Sequence, residues 1–342
     1  GAGDVYVTGD LHQGAFNLSS SKVFVSKFAN DGTPVWTTES ADYGTQHLGD
    51  GICASDAGVV SITGEFFDSF TLGSFTLDAG TAEATIYVAK LSSDGVPLWA
   101  QKAGAGGYAF GESVGMDAQG NVYVTGSYRG TIAMGGLTLP GPSDNSFDVF
   151  VAQCASTDGN FQWATRGTGP GSDRAVGICV DAAGNSYING AYDVSWTFGS
   201  TTLETDGGVD GYVAKVSPSG EALWAKDYGG PTGDNIGGLA LHGTELFVTG
   251  GFQVNIQFDP GPMLTGQDVV RDVFVAKLTD VPSGIEEVEL TQLVIYPDPV
   301  SDRLQLRGLT GRCTYAVLDE QGRKVLSGGT STGQGINVSA LT

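Results

Sequence analysis

A pair of short apolar strands recurs five times in this chain, and the recurrence restricts the fold more than any other feature. The first member reads Val5-Tyr6-Val7-Thr8-Gly9, then Val60–Gly64, Val122–Gly126, Ser186–Gly190 and Leu246–Gly250. The second reads Val23–Lys27, Ile86–Lys90, Val149–Gln153, Gly211–Lys215 and Val273–Lys277, with starts 63, 63, 62 and 62 residues apart. A fixed period of this size marks one supersecondary unit copied in space.

Two more strands complete each unit. One carries a tryptophan after an Asp-Gly or Ser-Gly turn: Trp36, Trp99, Trp163 and Trp224. Glycine in such turns accepts positive φ, and aspartate bonds nearby backbone. The other is short and glycine-rich, as in Gly51–Ala54, Val114–Met116, Val176–Val180 and Gly237–Leu241. Four short antiparallel strands per unit predict an all-β chain, a β-propeller of four-stranded blades. A parallel β-helix has a shorter period, and an outer-membrane barrel needs longer strands with one polar face. Here both faces of the third strand read apolar, Val273 and Val275 on one and Phe274 and Ala276 on the other, as in a strand covered on both sides. Five repeats are visible. The tryptophan and glycine-rich strands are present four times each, so the first and last blades are incomplete and the whole ring is expected to hold up to six or seven, with sequence upstream of Gly1 removed or missing.

The repeating tryptophans are expected to pack blade against blade. Trp196 is out of register, and is the one ring that a ligand-stacking role would single out. Lys27, Lys90, Lys215 and Lys277, with Gln153 in the remaining copy, recur at one position and read as caps on strand ends. Of the four cysteines, Cys53 and Cys179 belong to units two apart, too distant to bond. Cys154 takes a core position and Cys313 lies beyond the repeats, so all four are expected to be unpaired.

The net charge of −22, from 38 acidic against 16 basic residues, argues against nucleic acid and anionic membranes as partners. No apolar run is long enough for a membrane helix. Asp144-Asn145-Ser146-Phe147-Asp148 and Asp206-Gly207-Gly208-Val209-Asp210-Gly211 come nearest to calcium loops. Both lack the later bidentate glutamate and read as ordinary turns. No cofactor is therefore expected, calcium alone being left open by the acidity.

The repeats, about residues 1–280, resemble the bacterial β-propeller repeats of secreted proteins in Gly120–Gly126, Gly220–Lys226 and Asp272–Leu278. That resemblance implies a fold and leaves activity open. A linker, 281–290, precedes a segment of different character at 291–342, whose alternation suggests a small β-sandwich. Tyr296, Pro297, Asp298 and Pro299, followed by the turn residues Asp319, Gly322 and Arg323, resemble the type A C-terminal sorting domain of the type IX secretion system of Bacteroidota. Asp298 stands where that family has asparagine, and the family's Leu-x-x-Gly-x-Tyr finish is absent, so this copy is either incomplete or unable to sort. An immunoglobulin-like accessory domain is the alternative. The resemblance implies export to the cell surface or medium, with the secretion machinery as a partner and no catalytic role for the tail.

Residues suited to chemistry are few. His12, His47 and His242 lack metal-ligand spacing, and His12 and His47 read as solvated loop residues. Glu112 and Asp173, each near the start of a glycine-rich strand, are the carboxylates placed to line a channel mouth. The expectation is a secreted, non-enzymatic surface scaffold for binding, adhesion or envelope assembly, with surface polysaccharide or envelope proteins as partners and no catalytic, cofactor-binding or metal-ligating residue assigned. Insertions such as Gly136–Asp148 and Gln257–Asp272 would present the binding surface. The alternatives are an extracellular carbohydrate-active hydrolase or lyase, and a structural subunit of a surface layer or filament.

Overall fold

The computed structural model describes residues 3–12, 20–41, 43–80, 83–104, 106–258, 261–266 and 271–279, and five strands beyond residue 290. Every regular element among the described residues is a β-strand. The chain divides into two compact units: Gly1–Asp259 with Met263–Asp280, and Pro260–Pro262 with Val281–Thr342.

The first unit holds five successive antiparallel sheets, here numbered 1 to 5. Sheet 3 shows the full pattern. Its strands Tyr108–Met116, Val122–Arg129, Asp148–Cys154 and Phe161–Thr168 pair in chain order. Sheet 2 (Gly51–Ala54, Val60–Phe66, Thr85–Leu91, Pro97–Ala103) and sheet 4 (Arg174–Val180, Ser186–Tyr192, Asp210–Val216, Ala222–Gly229) repeat it. Sheet 1 consists of Val5–His12, Ser20–Phe28 and Pro34–Glu39, with Gly44–Thr45 joined to its middle strand, and sheet 5 of Asn235–His242, Glu245–Phe252 and Asp272–Thr279.

Successive sheets are joined at three levels. At the first strands the backbones pass so close that side chains would collide. A Cβ on Gly51 would lie 2.9 Å from Ser113 Cα, and one on Gly115 would lie 2.9 Å from a Val180 methyl. This is the physical reason for the glycine-rich motif. In the middle, apolar clusters bridge sheets: Ile86 and Val88 pack with Val114 and Phe150, and Val149 and Val151 pack with Ile178 and Tyr212. At the fourth strand, an indole reaches into the next sheet's turn. Trp36 Nε1 donates to Ser93 O at 2.9 Å, Trp99 Nε1 to Ser156 O at 3.2 Å and Trp163 Nε1 to Pro218 O at 2.9 Å. The turn glycines Gly95, Gly159 and Gly220 have φ of 77°, 73° and 85°. A Cβ there would sit 2.6, 2.4 and 2.6 Å from the indole of the preceding sheet. Glycine is thus required twice over, by backbone conformation and by the ring.

Between the second and third strands of sheets 2 to 5 an inserted hairpin folds back onto the preceding sheet. Ala41 N–H donates to Thr71 O and Gly104 N–H to Ala133 O. Gly167 and Thr168 pair with Phe198 and Thr197, and Tyr228 and Gly229 with Phe258 and Gln257. Much of the inserted sequence expected to form free loops is therefore occupied as a clasp. Trp196 lies in one such hairpin. It is fully buried, stacked on Tyr212 with centroids 4.0 Å apart and on Phe198 at 5.1 Å, so it is a core residue with no face for a ligand.

The both-faces-covered reading holds for sheets 2 and 3 and fails at sheet 5. Val23 and Val25, Ile86 and Val88, and Val149 and Val151 are buried, whereas the register-equivalent Val273 and Val275 are 80% and 71% exposed. At the other end, Val5 and Val7 of sheet 1 are exposed as well. Among the described residues the five sheets form no closed ring.

In the second unit, Val294–Tyr296, Arg303–Arg307 and Ile336–Asn337 form one antiparallel sheet, and Arg312–Leu318 pairs with Lys324–Ser331. Tyr296 ends the first of these strands. Pro297, Asp298, Pro299, Asp319, Gly322 and Arg323 lie outside the described residues, as does Cys313's side chain. Cys53, Cys154 and Cys179 are free thiols.

Replacing Trp99 by Ala removes a buried ring and an intersheet hydrogen bond, and is expected to cost about 3–5 kcal/mol in denaturant unfolding. Val151→Ala should cost about 2 kcal/mol, and the register-equivalent Val275→Ala under about 0.5 kcal/mol. Equal costs for the two valines would contradict the uncovered face of sheet 5.

Candidate functional site

Carboxylates gather in two kinds of place, both created by strand geometry. The first is the bulge in the opening strands. Pairing shifts between Gly111 and Ser113 leave Glu112 unpaired, and the register of Gly51 with Thr63 puts Asp50 in the equivalent position of sheet 2. A bulge re-aims a side chain; Glu112 at this bulge, Asp50 just before Gly51 and Asp10 in Val5–His12 all act on Glu65. Glu65 is buried and hydrogen-bonded to the exposed Asp50. Burial, that bond and the negative charges of Asp50, Glu112 and Asp10 push its carboxyl up to about 9. Glu112 is also raised, by burial and by Asp50, with Arg174 opposing. Asp50, exposed as a whole residue but with its carboxyl partly desolvated, is raised by that desolvation, against the hydrogen bond from Glu65. Two carboxyls joined by a hydrogen bond form a dyad in which one member's proton is held at the expense of the other's.

The second place is the junction between the third strand of one sheet and the segment entering the next. Asp148 opens the third strand of sheet 3, and Asp173 N–H donates to Phe147 O at 2.7 Å. Both aspartates are completely buried. Asp173 Oδ1 accepts from Asp193 N–H at 3.3 Å, while Oδ2 of each aspartate has no hydrogen-bond partner. Burial pushes Asp148 to about 6 and Asp173 to about 8. Arg166 Nη1 stands 3.7 Å from Asp148 Oδ2. Beside this pair opens a cleft of about 490 Å³ lined by Pro142, Asp144, Arg166, Thr168, Ser195 and Thr197. Asp144 is held by Ser146 and by Gly171 N–H, so the rim of the cleft is preorganised.

Of the sequence-derived candidates, Glu112 lies at the bulge beside Asp50 and Asp173 at the junction beside Asp148, and both carboxylates act electrostatically on the Tyr212 hydroxyl. His47 corrects the solvated-loop reading: its side chain is 1% exposed, Nε2 is 2.7 Å from Asp68 Oδ1, and the ring packs edge-on against Phe66 and Phe70. His12 is half-buried, 2.7 Å from Asp10, and His242 is exposed. Lys90 does cap turns, donating to Gly120 O and Ser156 O at 2.7 and 3.1 Å. Asp50 and Glu65 were missed as candidates because their significance depends on a pairing across two strands, and Asp148, weighed only as part of a calcium-like loop, is instead a buried carboxylate at the start of a strand. The one available signal was an acid at a position where other copies carry Ser127, Ala191 or Gly251. Among the described residues no three His, Cys, Asp or Glu side chains are grouped to hold a metal, and no helix is long and apolar enough to cross a membrane.

No known family model matches the chain. Regulatory protein FlaEY of Caulobacter vibrioides is 27% identical over 172 residues, which are 48% of this chain and 18% of that protein. The matched stretch is thus less than a fifth of that relative's length. Among solved structures, a luciferin-regenerating enzyme aligns over 72% of this chain and 88% of its own, at 11% identity and a TM-score of 0.23. That likeness is too loose to inform fold or activity.

A carboxyl raised by the fold binds its proton more tightly folded than unfolded. Its stabilising contribution is complete below the unfolded value of about 4 and is lost as pH rises through the folded value. With folded values from about 6 for Asp148 and Asp210 to about 9 for Glu65, the Tm is expected to fall between pH 5 and pH 9 in chelator-containing buffer. Glu65→Gln keeps the donor to Asp50 and removes one ionisation, so it should melt above wild type at pH 8. A flat pH profile would contradict the assignment.

Proposed function

We propose that the chain is a secreted, cell-surface, non-enzymatic β-propeller scaffold for binding, adhesion or envelope assembly. The supporting observation is the polar cleft beside Asp144 and Arg166, built on sheets that are locked by indole bonds and hairpin clasps. Rigid frameworks with polar rims suit the recognition of extended polar ligands. Hydroxyl donors and acceptors of a polysaccharide match Asp144, Arg166, Thr168, Ser195 and Thr197. The uncovered valines of sheets 1 and 5 fit a ring of more than five blades, or a ring completed by another surface. Export through the type IX secretion system rests on the Tyr296–Pro299 and Asp319–Arg323 motifs.

A second reading, an extracellular hydrolase or lyase, is favoured by the protonated Glu65 beside Asp50 and Glu112. One assay separates the two. The purified chain is applied to a glycan array, and the captured glycans are then incubated with it and followed for reducing-end release. The scaffold reading expects capture that Asp144→Ala weakens and no release. Release that Glu65→Gln abolishes would replace it with the hydrolase. Absence of both capture and release would contradict polysaccharide recognition. In a host with and without a working type IX translocon, surface accessibility to added protease should depend on the translocon. Equal accessibility in both would remove the export reading.

A further inference from the structure

Consecutive sheets meet through the same two sets of side chains. Residues on the third strand of one sheet, its front, pack on residues of the second strand of the next, its back. Val23 and Val25 of sheet 1 lie in one cluster with Val60 and Ile62 of sheet 2. Ile86 and Val88 of sheet 2 cluster with Val122 and Val124 of sheet 3. Val149 and Val151 of sheet 3 cluster with Ile188 of sheet 4. Every one of these side chains is buried to within 1%. Two faces of this kind stay uncovered among the described residues. The front of sheet 5 presents Val273 and Val275 at 80% and 71% exposure, and the back of sheet 1 presents Val5 and Val7 at 53% and 39%. Opposed residues of an antiparallel pair share a face, so Phe28 and Phe24, opposite Val5 and Gly9, extend the back of sheet 1. Both are only half-buried, whereas Phe150, the equivalent of Phe24 in sheet 3, is fully buried.

The two open faces are the complementary halves of one junction: a front of the type that Val23 and Val25 form, and a back of the type that Val60 and Ile62 form. Apolar side chains left in water favour burial, and the chain already shows what buries each of them. We propose that the front of sheet 5 docks on the back of sheet 1 of a second copy of this chain, repeating between molecules the contact that joins sheets within one. Val273 and Val275 then meet Val5 and Val7 of the second copy. The contact is heterologous, with different surfaces on the two partners. Each pair therefore keeps one front and one back free, and assembly runs on to a closed ring or an open filament. Sheet 5 against sheet 5 is the other arrangement of two copies, but in the clusters above fronts pack on backs. The proposal deepens the scaffold reading by naming a partner. It uses no residue of the cleft, so self-association and glycan capture can fail separately. The net charge of −22 makes copies repel, and salt screens that repulsion. Association through valine faces is thus expected to tighten as sodium chloride is raised.

Sedimentation velocity of the full chain, over a concentration series up to about 1 mM and at low and high salt, tests this. Wild type is expected to form dimers and larger species as concentration rises. Val275→Asp and Val7→Asp each place a carboxylate in the contact and should each weaken self-association by about tenfold or more. Both should still melt cooperatively, because the altered side chains face water in the single chain. Mixed in equal amounts, the two variants should form a one-to-one dimer and nothing larger, since the intact front of Val7→Asp meets the intact back of Val275→Asp. Val96→Asp, at a turn position that is 58% exposed, should assemble as wild type does. Wild type that stays monomeric throughout the series, Val7→Asp that dimerises alone, or a mixture of folded variants that stays monomeric would each overturn the proposal. Glycan capture by either variant is expected to match wild type, and its absence from all three would count against the cleft's ligand and leave the sheet contact standing.

Discussion

Three indole N–H groups, each bonded to a carbonyl 55 to 57 residues later, hold the outer parts of consecutive sheets together. Each bond is modest, about 1 kcal/mol net. Its importance is geometric, because the bond fixes the ring against a turn whose glycine admits no side chain. The turn is thereby held to the preceding sheet, and the sheet behind it takes its orientation from that contact. The glycine-rich first strands do the same at the opposite edge by letting backbones approach. Between these two fixed edges the apolar clusters have little freedom to repack.

Such close joining has an electrostatic consequence. A chain with 38 acidic and 16 basic residues must place some carboxylates where sheets meet. The fold handles them differently at successive repeats. Burial and neighbouring carboxylates raise Glu65, Asp148 is met by Arg166, and Asp234 is faced by Arg271. Divergence among copies at fixed register positions is where individual roles can arise in a repeat protein, since the framework positions are already committed to packing.

The sheets, their strand order and the role of Trp36, Trp99 and Trp163 were legible because they depend on local pattern and on period. Val5-Tyr6-Val7-Thr8-Gly9 and its four relatives could be read as strands without any spatial knowledge. The hairpin clasps were not legible, because Ser195–Glu204 pairs with a strand of the preceding repeat and its own alternation says nothing of that partner. Burial of His47 escaped notice for the same reason: Asp68, Phe66 and Phe70 lie some twenty residues away. Of the candidate site, Glu112 and Asp173 could be singled out from their places before the glycine-rich strands, but the bulge that seats one and the junction that seats the other are revealed by no spacing rule. The Val273 and Val275 pattern was read correctly as apolar on both faces, yet one face meets no neighbour among the described residues.

The central claim, that consecutive sheets are joined through indole and turn, is tested most directly by nuclear Overhauser contacts in deuterated, amide-protonated protein. The Hε1 protons of Trp36, Trp99 and Trp163 should each show contacts to the turn protons of Ser93-Asp94, Ser156-Thr157 and Pro218-Ser219 respectively, and should exchange slowly with solvent. Rapid exchange of these three protons, with no contacts beyond their own sheets, would contradict the account.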